Sequence, residues 1–358
     1  MSAGDGHAGR RATMRQVAAV AGVSLSTVSR VLNGIEVQSD LARRVHDAVA
    51  LLGYRRDLTA STLRRSDRLS ATIGLLLEDV ANPFFSALHR SVEDVARHRG
   101  VLVFAGSSDE DPVREREVVE GLLGRGVDGL IIAPTAGDHS YLARDRQAGV
   151  ALVFVDRPPR FMEADAVLTD NARGADDAVS HLIAGGHRRI AFLGDRPEIH
   201  TAVERLRGYR DALARNGIAD DPALLRYPLL NADEAYEATR DLLSGAGAPT
   251  ALFTSQNLVT IGAVRALHDL GLHRSIALVG FDDVTLADVV DPALTVVVQD
   301  AAAVGRAAAE LLFARLDGDD GPFRRLDLPT PLVVRGSGEL PPAAAERYGT
   351  SDAGSGAP

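Results

Sequence analysis

The chain has 358 residues, a net charge of −10 and no cysteine. That length exceeds one compact core, so two or three domains are expected, and the lack of Cys excludes disulfides, thiolate nucleophiles and thiolate metal sites. No apolar run approaches the roughly 18 residues of a membrane span, and "MSAGDGHAGRRATMRQ" lacks the apolar segment of a secretory signal, which points to a cytoplasmic protein without a membrane partner.

Residues 1–12 are rich in Gly, Ala and Arg, aperiodic, and expected to be disordered. Thr13 then offers a helix N-cap, with Gln16 placed to complete a capping box. In "MRQVAAVAG" the residues Val17, Val20 and Ala21 share a face, and Gly22 ends the helix. A second helix is expected after an N-cap at Ser24, with Val28, Val31 and Leu32 turned inward and Asn33-Gly34 as its stop. A third runs from a cap at Ser39 through the stripe Leu41, Val45, Val49 and Leu52 to Gly53. Three short helices with a tight Gly-Val-Ser turn between the first two describe a helix-turn-helix head over 13–54.

Residues 55–70, "RRDLTASTLRRSDRLS", are basic and hold one short helix candidate, about 58–64, with Leu63 as an apolar residue among arginines; alone, so short a helix is marginal in water. All 39 basic residues of the chain are Arg, and residues 1–70 hold 11 of them against 6 carboxylates, a balance of +5 that leaves −15 for the rest. A basic head on an acidic body points to a polyanionic partner for the head.

From residue 71 the texture changes. "ATIGLLL", "VLVFAG", "GLIIAP", "ALVFVD", "RIAFLGD", "TALFTS" and "IALVGFDD" are short apolar runs too brief for helices. Helical stretches such as "FFSALHRSVEDVARHRG" alternate with them. This pattern means βαβ units around parallel sheets, and the number of strands calls for two α/β lobes. The tail over 340–358 is rich in Ala, Gly, Ser and Pro, and disorder is expected there.

In a helix-turn-helix the second helix enters the major groove with its N-terminal side chains on base edges. Here those are Leu25, Ser26, Ser29 and Arg30, and Arg30 can fork onto a guanine. Ser24, Thr27, Ser29 and Asn33 suit phosphate oxygens, which fix position without reading sequence. In open α/β sheets a ligand sits beyond the carboxyl ends of the strands, so Asp79, Asp156, Arg157, Gln256, Asn257, Asp282 and Asp283 are candidates, with Arg205 in "ERLRGYRDAL". Carboxylates and Arg can hold sugar hydroxyls, and Phe84 and Phe85 can supply an apolar platform. Each has a plainer reading as cap, core or solvated face; their repetition at one edge favours a cleft.

The run "TMRQVAAVAGVSLSTVSRVLNG…ARRVHDAVALLGY" resembles the DNA-binding head of the LacI/GalR family of bacterial transcription regulators. "ANPFF", "VDRP", "GHRRIAFLG", "ERLRGYRDAL" and "VGFDD" extend the resemblance to about Arg335. It implies a two-lobed, periplasmic-binding-protein-like body over 71–336, with lobe 1 at about 71–167 and 297–325 and lobe 2 at about 168–294 and 327–336. By position it assigns base reading to Leu25, Ser26 and Arg30, backbone contact to Thr13, Ser24, Thr27, Ser29 and Asn33, and a minor-groove wedge to Leu63. It assigns effector contact to Asp79, Phe84, Phe85, Asp156, Arg205, Gln256 and Asp282. Two departures stand out: Arg56 replaces the family's usual proline after "YR", and Gln256 replaces a usual Asn.

These features imply a repressor that binds a pseudo-palindromic DNA operator as a homodimer, without cofactor or metal, and that answers a small-molecule effector, a sugar in the first place. A nucleoside or purine effector is the alternative. A solute-binding protein would share the body but not the head. An enzyme would need a catalytic motif, and no G-x-S-x-G, P-loop, H-E-x-x-H or G-x-G-x-x-G after a strand occurs. His187 in "GGHRRI" reads as a structural loop residue.

Overall fold

A computed structural model describes residues 12–32, 34–54, 70–245 and 247–342. Asn33, Arg56, Leu63, the short helix expected near 58–64, residues 1–11 and the tail from 343 lie outside the described residues. The chain divides between residues 70 and 71 into two compact units.

The head unit holds α1 (Met14–Ala21), α2 (Leu25–Leu32) and α3 (Ser39–Leu52). Thr13 and Gln16 form the expected capping box at the start of α1. Gly22 closes α1 at φ +62°, a left-handed conformation that Gly adopts without steric cost, and Arg44 of α3 donates to its carbonyl at 3.1 Å. Ser24 Oγ accepts from the Thr27 amide at 3.1 Å, which caps α2. The cap expected at Ser39 is not there: Ser39 is the first helical residue, and Gln38 before it makes no side-chain cap. Val17, Ala18, Ala21, Val28, Val31, Val45 and Ala48 make the core. Val20, expected inside, is 49% exposed, and Ala18 is buried instead. A three-residue step falls short of a full helical turn, so Val20 leaves the stripe of Val17 and Ala21 on the side away from Ala18.

The body begins with β1 (Thr72–Leu77), α4 (Pro83–His98), β2 (Leu102–Ser107), α5 (Pro112–Leu123), β3 (Gly129–Ile132), α6 (Ala143–Gln147), β4 (Ala151–Val155) and β5 (Asp165–Thr169). It continues with α7 (Asn171–Ala184), β6 (Ile190–Leu193), α8 (His200–Arg215), β7 (Leu225–Arg226), α9 (Ala232–Ser244), β8 (Ala251–Thr254), α10 (Asn257–Asp269), β9 (Ala277–Phe281), β10 (Thr295–Val297), α11 (Ala301–Leu316), β11 (Arg325–Leu328) and β12 (Leu332–Val333). Two six-stranded sheets result, ordered β11-β5-β4-β3-β1-β2 and β12-β10-β9-β8-β6-β7. All pairings are parallel except β10 with β12.

The inner strands of each sheet are buried on both faces, which is why they read as unbroken apolar runs, while the edge strands β2 and β11 are largely exposed. In lobe 1, Phe85, Leu88 and Val92 of α4 and Val304, Ala308 and Leu312 of α11 cover one face, while Val119 and Leu122 of α5 cover the other. In lobe 2, α7 and α8 form one layer and α9 and α10 the opposite one.

The chain crosses between lobes three times: after β5, between β10 and α11, and between β11 and β12. These crossings lie a few residues beyond those expected. Each strand runs to its natural end before leaving the sheet, so β5 reaches Thr169, β10 stays in lobe 2 to Val297, and β11 stays in lobe 1 to Leu328.

Candidate functional site

On the head, the N-terminal half of α2 faces outward. Ser24, Leu25, Ser26 and Arg30 are exposed, and Thr27 and Ser29 are half-buried. The hydroxyls gather at the helix start: Ser24 Oγ lies 2.7 Å from Ser26 Oγ and 2.8 Å from Thr27 Oγ1. Unpaired amides and oriented hydroxyls at a helix N-terminus form a ready site for phosphate oxygens. Thr13 sits at the start of α1, its hydroxyl engaged with Gln16 at 3.0 Å. Among the described residues Arg30 reaches the Glu36 carbonyl, at 3.3 Å, an exposed neutral contact that a stronger acceptor can replace. Asn33 and Leu63, expected to meet DNA, lie outside the described residues.

In the body, both sheets follow one plan. Within each lobe the first five strands are ordered 2-1-3-4-5, with the topological switch beside the first strand, where ligands bind beyond the carboxyl ends. After the fourth strand of each lobe stands an aspartate in the left-handed region: Asp156 at φ +67° and Asp282 at φ +70°. Their amides donate to the neighbouring fifth strand, Asp156 to Val167 O at 3.0 Å and Asp282 to Val297 O at 2.9 Å. The strain of a non-glycine residue in this region is offset by that bond and the pairing of the carboxylate.

In lobe 1 the carboxylates converge on Arg157, which is buried. Its Nε donates to Asp156 at 3.1 Å, its Nη2 to Glu78 at 2.9 Å, and its Nη1 to the Pro134 carbonyl at 3.1 Å and to Glu110. Burial works against the guanidinium charge, yet Asp156, Glu110 and Glu78 together push its pKa above the ordinary value. Glu78 moves the other way. Burial, reinforced by Glu110, Asp156 and Asp195, outweighs Arg157 and pushes its carboxyl up to about 8.

In lobe 2 a closed ring of polar contacts forms. Arg205 Nε donates to Asn171 Oδ1 at 2.7 Å, and Asn171 Nδ2 donates to the Thr169 carbonyl at 3.1 Å and to its hydroxyl at 3.3 Å. Thr169 donates to Gln299 Oε1, and Gln299 Nε2 donates to Asp282. Asp282 Oδ2 then faces Arg205 Nη1 at 3.7 Å. Arg205 also donates to the Ser255 carbonyl at 2.6 Å and lies 3.9 Å over the Phe281 ring. Burial raises the Asp282 pKa, and Arg205 and Gln299 act against that rise. The ring runs through the first two crossings, at Thr169–Asn171 and Gln299. Thr330 of the third donates to the Asp170 carbonyl at 3.0 Å, tying all three together.

The two rims face one another. The N-cap of α4, Asn82, accepts from Asn257 Nδ2 at the start of α10 at 2.8 Å. Asp195 after β6 raises the Glu78 pKa, and Asp156 raises that of Asp282. Between the lobes lies a recess of ≈ 270 Å³, lined by Arg157, Pro158 and Arg160 on one side and Ile199, His200 and Val203 on the other.

The predicted cleft residues therefore divide. Asp156, Arg205 and Asp282 come together at the facing rims. Gln256 joins them at the start of α10, donating to Asp195 at 3.2 Å. Asp79 is half-buried and accepts from the Ala81 amide at 2.8 Å, a local turn contact. Phe84 is half-buried. Phe85, offered as a platform, is instead 3% exposed in the lobe 1 core, because the first turn of α4 points it at the sheet while Phe84 stays at the edge, 5.1 Å away ring to ring. Asp283 is held in a salt bridge to Arg335 at 2.6 Å. His187 is fully buried, with Thr250 at 2.9 Å and the Leu340 carbonyl at 2.8 Å, and burial lowers its pKa.

Sequence reasoning passed over Glu78, Glu110, Asp195, Asn171 and Gln299. Glu78 and Asp195 follow apolar runs directly, so the rule that found Asp79 and Asp156 could have found them. Among the described residues no group of three or more His, Cys, Asp or Glu is arranged to hold a metal ion, and no helix is long and apolar enough to cross a membrane.

Residues 13–57 match the family model described as bacterial regulatory proteins, lacI family, and residues 179–338 match a periplasmic binding protein-like domain. The chain is 33% identical over 345 residues to the HTH-type transcriptional regulator GalR of Escherichia coli (strain K12), covering 95% of this chain and 100% of that one. Among solved structures, a lac repressor dimer bound to operator and the anti-inducer ONPF shares 28% identity with a TM-score of 0.78, covering 92% of this chain and 99% of that one. A complex of the transcriptional regulator CelR with cellobiose shares 32% identity with a TM-score of 0.68, covering 91% and 100%.

Proposed function

The chain belongs to the lacI family of bacterial regulatory proteins, and from that membership we propose that it is a cytoplasmic repressor whose hold on a pseudo-palindromic operator is set by a small sugar bound between its lobes. Two copies of the chain, related by a two-fold axis, each place α2 in the major groove of one half-site. Leu25, Ser26 and Arg30 read bases, with Arg30 on a guanine. Thr13, Ser24, Thr27, Ser29 and Asn33 grip the backbone, and Leu63 wedges the minor groove. We assign the chain no catalytic step; relatives such as GalR are named as transcriptional regulators.

The observation that carries the ligand response is the ring Arg205–Asn171–Thr169–Gln299–Asp282. Its members stand at the cleft rim and at the crossings at once. A ligand that accepts hydrogen bonds from Arg205 or donates them to Asp282 alters the ring of bonds that runs into the crossings between the lobes. Two sites that bias one two-arrangement element are reciprocally coupled. The sugar assignment rests on rim chemistry rich in carboxylates and amides, with a cellobiose complex among the similar structures.

The test is a selection of randomised DNA duplexes by the full chain. An enriched inverted repeat that Arg30→Ala binds with relaxed preference at one base pair, a loss of about 1–3 kcal/mol in discrimination, supports the reading. Recovery of no preferred sequence would sink it.

A further inference from the structure

The recess between the lobes is flanked by the loop after β4 and the loop before α8, and each loop carries one uncommitted charge. Among the described residues that line the recess, Arg157 and Arg160 are the guanidiniums of lobe 1, and Glu198 of lobe 2 is the one carboxylate. Arg157 is taken by Asp156, Glu110 and Glu78. The Arg160 side chain is exposed and meets only neutral groups among the described residues, the Ala136 carbonyl at 2.5 Å and the Phe161 ring at 5.6 Å. Glu198 is exposed and has no ion pair among the described residues. His200 beside it is pushed toward its neutral form by burial.

Arg160 stands on a buried mount. Its amide donates to His139 Nδ1 at 2.9 Å, and the His139 amide donates back to the Arg160 carbonyl at 3.2 Å. Because Nδ1 accepts, the ring proton sits on Nε2, which faces Glu115 Oε1 at 3.4 Å. Glu115 is 2% exposed and accepts from the Thr135 amide at 2.7 Å, the Thr135 hydroxyl at 2.8 Å and the Tyr141 hydroxyl at 3.1 Å. Burial works against its charge, yet the bonds from His139 and Thr135 outweigh burial and lower its pKa. Phe161, the next residue after Arg160, sits at φ +62° and is 73% exposed. A bulky residue in the left-handed region is strained and persists only where its surroundings fix it. A buried carboxylate and a strained turn thus serve to hold one exposed arginine at the edge of the recess.

On the other flank, Glu198 precedes Ile199, which is buried and whose amide donates to the Arg196 carbonyl at 3.2 Å. The plainer role of Glu198 is to offset the positive end of α8, which has no side-chain cap. That role would involve lobe 2 alone.

We propose that Arg160 and Glu198 pair across the recess and form a second tie between the lobes, apart from that of Asn82 with Asn257. The regulatory meaning of this tie rests on the reading of the cleft as the effector site. The pair itself is tested on the full chain without ligand, so an absent pair and a mistaken site are told apart.

The chain has no lysine, so Arg160→Lys places a unique side-chain amine on the loop. A water-soluble carbodiimide joins an amine to a carboxylate in direct contact, with loss of water and no spacer. Peptide mass mapping is expected to find the new amide between positions 160 and 198 of one chain. An amide to another carboxylate, or none, overturns the proposal.

Charge reversal then asks whether the pair does the holding. Deuterium uptake by backbone amides reports local opening. Glu198→Arg should raise uptake over 157–164, and Arg160→Glu should raise it over 195–203, each by about two- to fivefold in rate, the range of an exposed ion pair. Arg160→Glu combined with Glu198→Arg should return both segments to the rate of the unaltered chain. A rise confined to the mutated loop leaves Glu198 as a helix-end charge and overturns the pair. A double variant in which the two rises add overturns it as well.

Discussion

The two lobes share a strand order and a left-handed aspartate after the fourth strand, yet their rims are wired differently. In lobe 1 one buried arginine gathers three carboxylates, and each contact stays within that lobe. In lobe 2 the arginine has one ion-pair partner at 3.7 Å, and its other bonds run through neutral amides and a hydroxyl into the crossings. Topology decides where polar side chains emerge, because the parallel strands of a lobe all end at the same edge. The kind of side chain decides what the rim then does. Lobe 1 has a local electrostatic knot, and lobe 2 has a linkage that reaches the hinge.

That contrast breaks most visibly through its arginines. Arg157→Ala leaves Glu78, Glu110 and Asp156 buried and uncompensated, and should cost about 3–5 kcal/mol. Arg205→Ala leaves the amide chain from Asn171 to Asp282 intact and should cost less, about 1.5–3 kcal/mol. Urea unfolding followed by far-ultraviolet circular dichroism checks this. Equal midpoints for the two variants would mean that the rims are energetically alike.

The next effect separates stability from communication. Asp282→Asn should lower the coupling between sugar and operator toward zero, a loss of about 1–3 kcal/mol, while the operator still binds without sugar. Asp156→Asn should leave the coupling nearly unchanged, because its partners stay in lobe 1. Operator titrations by fluorescence anisotropy, with and without the sugar, give both numbers. An Asp156 variant as uncoupled as the Asp282 variant would remove the distinction.

Much of this division was legible in the sequence, and the misses have physical causes. The apolar runs marked β1, β3, β4, β6, β8 and β9 because strands buried on both faces cannot alternate; β2 was marked by its apolar run as well, although Leu102 and Phe104 stand exposed at the sheet edge. β5 escaped because it opens on Asp165, a buried charge that reads as a break but is held by Arg315 at 2.7 and 3.0 Å. β7, β10 and β12 have two or three residues each and leave too little pattern. At the site, Asp156 and Asp282 were found by the strand-end rule, and Arg205 by its place in the helical stretch "ERLRGYRDAL". Asn171 and Gln299 were not, because an amide in a crossing carries no periodicity and gains its role only when distant strands converge.

Glu78 offers a finer probe of the knot. Its carboxyl is raised in the folded chain to about 8 from an ordinary value of 4.5. Between those values the folded state holds a proton that the unfolded chain has released. Stability from this group is therefore fully present below about pH 4.5 and is lost as pH rises toward 8, with a slope of at most about 1.4 kcal/mol per pH unit. In Glu78→Gln that part of the slope should vanish. Thermal midpoints from pH 5 to 8 compare the two proteins, and parallel profiles would show that Glu78 titrates as an ordinary carboxylate.

The smallest expected effect concerns the place where the rims touch. Asn257 Nδ2 donates to Asn82 Oδ1 across the cleft at 2.8 Å, and the same Oδ1 accepts from the Phe84 amide at 3.1 Å as the cap of α4. Asn257→Ala removes the bond between lobes, worth about 0.5–1.5 kcal/mol, together with a local contact in which Asn257 Oδ1 accepts from the Leu258 amide at 2.7 Å. Asn82→Ala removes that bond and the cap, with about 1 kcal/mol more. If the bond holds the lobes together, Asn257→Ala lowers the population of the closed arrangement, and sugar affinity falls by the same factor, about two- to tenfold. The double variant should then lose no more affinity than Asn82→Ala alone, since neither change has anything left of the shared bond to remove. Additive losses would place the two asparagines in separate roles, and the lobes would owe their closure to the carboxylates and the ring rather than to this contact.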